Sequence, residues 1–145
     1  MTQQALTSLP FAQSSVDKVR GINGWVFEQV LLRELRLALS ERGIKVSVIH
    51  QAPICGKATV DFVLGKIAVE AKVSGTYEDS RTKYAKYRAA VELKGWHYFY
   101  VTLGESYERN VRQAQEVFGP QRAFFLDRPG HWDELISAMI EAQGT

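Results

Sequence analysis

The residues with the clearest chemical potential lie in the segment TVDFVLGKIAVEAK, residues 59–72, which carries two carboxylates and a lysine. Gly65 and the lysine after it separate two apolar runs, as in a two-residue turn whose first central residue has a positive φ. This pattern predicts a tight β-hairpin in which Asp61 lies directly opposite Glu70. Because side chains alternate along a strand, Lys72 is expected on the same face as both carboxylates.

Two interpretations of this polar face remain open. It could be ordinary solvent-exposed surface, with the other face of the hairpin forming the core. However, opposed residues have Cβ atoms about 5 Å apart, and like charges there destabilise the strand pair unless a positive group intervenes. A divalent cation would remove this repulsion, because carboxylates are the oxygen ligands that Mg²⁺ prefers. Lys72 could then reach a water or a phosphate held by the ion.

A further acidic residue, Glu28, lies in a segment with the pattern of an amphipathic helix. Asn23 is an N-cap candidate and Gly43 a C-cap glycine for this helix. Leucines follow Glu28 at three, four, seven and eleven positions, which places its carboxyl group on the apolar stripe. Glu28 is therefore part of a site beneath the helix, a residue at the boundary of the apolar stripe, or a first-turn acid favoured by the helix dipole. Glu34 and Glu41 are interpreted as solvent-exposed helix charges.

The remaining chain alternates between strand and helix patterns. We expect a strand over residues 45–50, a loop over 51–58, the hairpin, a helix over 80–94, a strand over 96–103, a helix over 106–117, a strand over 122–127 and a final helix from His131. This order predicts an α/β fold in which a central mixed β-sheet is flanked by helices on both faces. Strands joined by helices should be parallel. Residues 1–20 are expected to form an N-terminal arm and residues 21–145 a single domain.

Composition narrows the classes of function without selecting one. A formal net charge of +2 permits nucleic-acid binding but does not demonstrate it. Cys55 is the only cysteine, which excludes an internal disulfide or a cysteine-based metal cluster and favours a reducing compartment. No segment approaches the ~18 apolar residues that span a bilayer, and the N-terminus lacks the pattern of a signal peptide. We therefore expect a cytoplasmic protein that does not enter a membrane.

The order of these features resembles the PD-(D/E)XK nuclease superfamily, which has a restriction-endonuclease-like core. The resemblance covers roughly residues 24–103. It consists of a helix bearing Glu28, a hairpin bearing Asp61 and the tripeptide Glu70-Ala71-Lys72, and then a further helix and strand. Val60 stands where the motif has a proline, a substitution of little chemical consequence.

The resemblance implies a metal site built from these residues. Asp61 and Glu70 would bind Mg²⁺, for which Mn²⁺ could substitute, with the backbone carbonyl of Ala71 as a further ligand. Glu28 would complete the metal site or position the attacking water. Lys72 matches the motif lysine, which could orient or deprotonate the water or stabilise charge in the transition state. A lysine acts as a base only if its pKa is lowered, so both roles stay open.

The helix expected over residues 80–94 carries a basic cluster. Its members are Arg81, Lys83, Lys86 and Arg88, interleaved with Tyr84 and Tyr87. Together with Lys57, which lies in the loop predicted just before Asp61, these residues are candidates for contacts to nucleic-acid phosphates. The alternative is that they form an ordinary solvated helix face. Members of the exonuclease branch often carry a glutamine four residues before Tyr87, where this chain has Lys83. This difference favours restriction-like, Holliday-junction-resolving or mobile-element endonucleases.

These inferences combine into one expectation and two alternatives. We expect a Mg²⁺-dependent DNA endonuclease that hydrolyses phosphodiester bonds, acting as a homodimer because one site cuts one strand at a time. The first alternative is a non-catalytic nucleic-acid-binding or assembly module on the same fold. The second is an unrelated α/β protein whose hairpin is simply amphipathic.

Overall fold

The computed structural model describes residues 24–73, 81–104 and 108–144 of the chain. Its elements are α1 (Gly24–Ser40), β1 (Val48–Cys55), β2 (Ala58–Leu64), β3 (Ile67–Lys72), α2 (Arg81–Leu93), β4 (His97–Thr102), α3 (Glu108–Phe118), β5 (Ala123–Phe125) and α4 (His131–Gln143). The arm predicted over residues 1–20 lies outside the described residues. Across the three described ranges, no helix has the length and apolar character needed to cross a bilayer.

The five strands form one mixed sheet in the order β1-β2-β3-β4-β5. The first three strands are antiparallel neighbours, so β1, β2 and β3 form two successive hairpins. Strands β3, β4 and β5 are parallel neighbours, and α2 and α3 connect them. The predicted mixed sheet with parallel helix-connected strands is therefore confirmed.

Helices cover both faces of the sheet, which confirms the predicted α/β architecture. On the α1/α4 face, leucines of both helices pack against the apolar face of the β2–β3 hairpin, where Phe62, Leu64, Ile67 and Val69 are fully buried. On the α2/α3 face, Tyr84 of α2 and residues of α3 pack against the opposite side of the same strands. The polar face of the hairpin is thus covered by helices, and its interpretation as solvent-exposed surface is wrong.

The predicted end of the first helix is confirmed in detail. The N–H of Ile44 donates to the carbonyl of Leu39 (2.9 Å), and the N–H of Gly43 donates to the carbonyl of Ser40 (2.9 Å). Gly43 has φ 75°, which a glycine adopts without steric strain. This Schellman arrangement ends α1 and directs the chain towards β1.

Two predictions for this half of the chain are wrong. The segment predicted as a loop over residues 51–58 belongs mostly to β1, which continues to Cys55 and turns through Gly56 into β2. Pro53 obscured this strand, but β1 is an edge strand, where proline removes no required ladder bond. Glu34 is also not solvent-exposed, because only 3% of it is accessible and it lines a small cavity between α1 and α4.

We predict that the two hairpin turns differ in their sensitivity to alanine. Gly56 (φ 53°) and Gly65 (φ 60°) both have left-handed backbones, so Gly56→Ala should cost about 1–2 kcal/mol of unfolding free energy. A Cβ on Gly65 would also lie 2.6 Å from Gln143 Oε1. Gln143 donates to the carbonyl of Leu64 (3.0 Å), so Gly65→Ala should cost about 1 kcal/mol more.

Urea unfolding of the two variants measures this difference directly. Gly56 serves as the control because no atom lies within 4 Å of its Cβ position. Equal losses of stability in both variants would show that the Gln143 contact contributes nothing to the turn.

Candidate active site

The carboxylate of Asp61 lies where β2 separates from β3. The predicted register is confirmed over the three pairs from Leu64–Ile67 to Phe62–Val69. Beyond them, the N–H of Ala71 donates to Asp61 Oδ2 at 2.7 Å instead of to a main-chain carbonyl. The side chain of Asp61 therefore satisfies this amide and allows the two strands to diverge.

The neighbouring strand β1 is distorted at the same level of the sheet. Gln51, which the register of β1 and β2 places opposite Asp61, has a left-handed backbone with φ 49°. Val60 and Val63 both pack in the core of the α2/α3 face, although regular alternation would put them on opposite faces. The regular pleat of β2 thus breaks at Asp61, where β2 separates from β3 while staying paired with β1 on either side of Gln51.

Glu70 is held by two partners in the middle of the sheet. Only 5% of this residue is accessible. Its Oε1 accepts a hydrogen bond from the Tyr98 hydroxyl at 3.0 Å, and its Oε2 lies 3.4 Å from Lys72 Nζ. The parallel register pairs Ala68 with Tyr98, and because Ala68 and Glu70 share a face, this tyrosine can reach the carboxylate.

Glu28 reaches the same region from α1. It is 9% accessible, and its Oε1 accepts a hydrogen bond of 3.4 Å from Gln51 Nε2. Thr59 in turn donates to Gln51 Oε1 at 3.3 Å. These contacts place Glu28 against the sheet beside Asp61, so the geometry favours a role in this site over that of a first-turn acid stabilised only by the helix dipole.

The pKa values of all three carboxyl groups are raised, with burial as the largest cause in each. Burial and the charge of Asp61 raise the pKa of Glu28 to about 7. Burial and the charge of Asp61 also raise the pKa of Glu70 to about 7, against the opposing effect of Lys72. Burial raises the pKa of Asp61 too, although its hydrogen bond from Ala71 opposes this. Upward shifts of this kind are expected where negatively charged groups lie close together and are shielded from water.

Lys72 provides the positive charge of the cluster. Burial acts to lower the pKa of its ammonium group, but attraction to Glu70 and Asp61 outweighs this, and the net direction is upward. The phenol of Tyr84 lies beside it, and burial together with the charge of Glu70 raises the pKa of that phenol. Lys72 is therefore charged at neutral pH, which favours electrostatic stabilisation over action as a base.

The donor set fits a divalent cation in ligand type and in charge. Glu28, Asp61 and Glu70 offer only oxygen donors, as Mg²⁺ prefers, and with Lys72 they total −2 when ionised. Within the described residues, however, no group of three or more His, Cys, Asp or Glu side chains has an arrangement that could hold a metal ion. An ion bound here would have to compete with Lys72 for Glu70.

No protein-family model, curated protein or solved structure matches the chain. The functional interpretation therefore depends on the residues of this chain and on their geometry.

The two arginines of the predicted basic cluster on α2 already have protein partners. Arg81 forms an exposed ion pair with Glu116 (3.5 Å), and Arg88 forms one with Glu92 (3.1 Å). Arg88 also donates to the carbonyl of Val117 at 3.1 Å, which ties α2 to α3. The contact to Val117 gives Arg88 a structural role. The two exposed ion pairs themselves contribute little to the stability of the protein.

The lysines of the cluster differ in position. Lys83 and Lys86 are exposed on α2, and Lys83 Nζ lies 5.3 Å from the centre of the Tyr84 ring, next to the site. Lys57 is exposed at the turn between β1 and β2, four residues before Asp61, on the order of 13 Å away along the strand. Lys83 and Lys86 therefore remain the better candidates for phosphate contacts.

Sequence analysis missed three residues that contact the carboxylates or Lys72. The pattern predicts a loop at Gln51, and it places Tyr98 in a strand without indicating a contact to the carboxylates. Tyr84, which lies beside Lys72, was considered only as part of the basic helix. Tyr98 can be deduced only once the register of β3 and β4 is known, because that register shows which residues of β4 share a face with Glu70. For Gln51 no local signal existed, since its position depends on the edge strand around Pro53.

We predict that the stability of the metal-free protein falls as pH rises between about pH 5 and pH 8. In the folded state Glu28 and Glu70 retain protons up to about pH 7, whereas ordinary glutamates ionise near 4.5. In this pH window the folded state therefore binds more protons than the unfolded state. The stability that the two protonated glutamates contribute is complete below the window and decreases as the pH rises across it. Glu70→Gln should reduce the loss by on the order of 1–3 kcal/mol.

Urea unfolding in EDTA at the two pH values measures this effect. Glu141→Gln removes an exposed carboxylate from α4 and should keep the full pH dependence of the wild type. Identical pH dependence in Glu70→Gln and the wild type would remove Glu70 from the coupled cluster.

Proposed function

We propose that the protein is a Mg²⁺-dependent DNA endonuclease with a restriction-endonuclease-like core. One observation carries this proposal: Glu28, Asp61, Glu70 and Lys72 converge where β2 separates from β3. Burying like charges costs stability unless a ligand compensates for it. The order of these residues along the chain also resembles the PD-(D/E)XK superfamily, which supports the same chemistry.

Each residue of the cluster has a role in this proposal. Asp61, Glu70 and the carbonyl of Ala71 would bind the metal, with Glu28 completing the site or positioning the attacking water. A bound Mg²⁺, or Mn²⁺ in its place, would activate a water molecule and stabilise charge on the phosphate. Lys72, held in its ammonium form, would stabilise the additional negative charge on the phosphate in the transition state.

The surroundings of the cluster support this division of roles. Tyr98 fixes one oxygen of Glu70 and Gln51 fixes one oxygen of Glu28. Such hydrogen bonds orient metal-binding carboxylates. A homodimer would supply two sites for two DNA strands. The geometry is compatible with restriction-like, junction-resolving and mobile-element endonucleases.

A second candidate function is a non-catalytic nucleic-acid-binding or assembly module on the same fold. It is favoured by the pairing of Glu70 with both Tyr98 and Lys72, which stabilises the metal-free arrangement. The absence of a three-residue metal-binding group from the described residues agrees with this alternative. It predicts DNA binding that neither requires nor responds to Mg²⁺.

We predict that Asp61→Asn and Glu70→Gln each reduce Mg²⁺-dependent nicking of supercoiled DNA by more than about 100-fold. Each change keeps the shape of the side chain while removing a charged oxygen ligand. Asp133→Asn, which neutralises an exposed carboxylate on α4, is the matched control and should cleave like the wild type.

The outcomes separate the candidate functions. Wild-type cleavage rates in Asp61→Asn or Glu70→Gln would refute the metal-site assignment. DNA binding by the wild-type protein without cleavage in Mg²⁺ or Mn²⁺ would favour the non-catalytic module.

We also predict that Lys83→Gln combined with Lys86→Gln weakens binding to duplex DNA. Each phosphate contact contributes about 0.9 to the log–log dependence of affinity on salt, so the slope should decrease by about 1.8. Fluorescence anisotropy across a salt series measures the slope. Lys66→Gln combined with Lys94→Gln is the control. It removes two exposed charges at the opposite end of the sheet and should leave the slope of the salt dependence unchanged. An unaltered slope in the first variant would show that Lys83 and Lys86 form an ordinary solvated face.

A further inference from the structure

An open groove with a volume of about 830 Å³ lies between α1 and the segment that leads into and begins β1. Its cationic residues are Arg33, Arg36 and Lys45, and its apolar wall includes Leu32, Leu37 and Ile44. None of the ten described residues that line it is acidic. The groove therefore combines a positive rim with an apolar wall, a combination that fits an anionic ligand with apolar parts.

The acidic residues of α1, and Glu41 just beyond its end, line other parts of the molecule. Glu28 contacts Gln51 in the candidate active site. Glu34 and Glu41 line a different cavity, which faces Trp132 and Asp133 of α4. The acid nearest to Arg33 is Glu34, whose Oε2 lies 3.9 Å from Arg33 Nε. Arg33 and Arg36 thus line the groove, although Arg33 also forms this long ion pair with Glu34.

One end of the groove adjoins the candidate active site. Gln29, which lines the groove, follows Glu28 in α1. His50, which also lines it, precedes Gln51 in β1. From Gln29 the groove extends along α1 to Ser40, about 16 Å at the rise of an α-helix. A polymer bound in the groove would therefore pass close to the Glu28–Gln51 contact at the edge of the carboxylate cluster.

We propose that this groove binds a single DNA strand that extends from the cleavage site, an inference that rests on the proposed nuclease function. Arg33, Arg36 and Lys45 contact successive phosphates, and the sugars and bases lie against the apolar wall. Electrostatic tracking of the backbone beside a surface that contacts bases is the general mode of single-strand binding. A volume of this size is in the range of small-ligand sites. A duplex, whose major groove alone is about 12 Å wide, is too large for it.

This arrangement assigns a substrate class to the site. A duplex that ends in a single-stranded extension, or a branch from which a strand emerges, contacts both the site and the groove. A blunt duplex contacts only the site and the surface of α2. The protein should therefore prefer DNA with an unpaired strand next to the bond that is cut.

The test compares a blunt duplex with the same duplex carrying a single-stranded extension. Fluorescence anisotropy in EDTA measures the affinity for each DNA across a salt series. The wild type should bind the extended DNA more tightly and with a steeper salt dependence. Arg33→Gln combined with Arg36→Gln should lower the slope for the extended DNA by about 1.4, since each single-strand contact contributes about 0.7. Its slope for the blunt duplex should not change.

A matched control removes two positive charges from the opposite face of the sheet. Lys94→Gln combined with Arg112→Gln changes one exposed residue just after α2 and one exposed residue of α3, and it should preserve the preference for extended DNA. Thermal melting checks that both double variants are folded, which is expected because all four side chains are exposed. Equal weakening of both DNAs in the groove variant, or no preference in the wild type, would overturn the proposal.

Two further outcomes separate this inference from the proposed function and from another occupant. Suppose that the wild type and the variant Arg33→Gln/Arg36→Gln both cleave the blunt and the extended duplex at equal rates. The groove would then not bind the single strand, whereas the proposed nuclease function would be supported. If the wild type neither binds nor cleaves any DNA, the proposed function fails. A change from dimer to monomer in the groove variant, with DNA binding unaltered, would show that the groove is a protein interface and would overturn the inference.

Discussion

The candidate site depends on a single hydrogen bond, in which the Ala71 amide donates to the Asp61 carboxylate at 2.7 Å. A buried amide must find a partner, and in a regular ladder that partner would be a carbonyl of the adjacent strand. The side chain of Asp61 provides it instead, so β2 can leave β3 without an unsatisfied amide. At the same level β1 is distorted at Gln51, although β1 and β2 stay paired on either side of it. A regular three-stranded ladder would leave no such gap.

The opened sheet holds charges that a core does not normally contain. Burial and mutual repulsion raise the pKa values of Glu28 and Glu70 to about 7. The hydrogen bond from Tyr98 and the ammonium group of Lys72 offset this repulsion only in part. Apolar residues of similar volume are often as stabilising as a buried charge cluster, or more so. A cluster that opposes folding in this way is typical of a binding or catalytic site.

The two faces of the sheet contribute differently to this arrangement. The α1/α4 face is almost entirely apolar, and it fixes β3 in the centre of the molecule through residues such as Ile67 and Val69. The α2/α3 face carries Tyr84 and Tyr98, whose hydroxyl-bearing rings surround Lys72 and Glu70. The site is therefore built on the more polar face of a strand that the other face holds rigidly. Positive charges occur on both sides of it, on α2 and along the α1 groove, which suits a polyanionic substrate.

The sequence alone determined the features that depend on local periodicity. Alternation around Gly65 predicted the hairpin register from Leu64–Ile67 to Phe62–Val69, and the leucine spacing placed Glu28 on the inner side of α1. These patterns hold because each reflects the geometry of one element. Only the tertiary structure decided that helices cover the polar face, that Tyr98 reaches Glu70 and that Gln51 reaches Glu28. Those contacts join residues far apart in the chain, so they depend on which strands pair and which helix packs above them, and no local pattern encodes that choice.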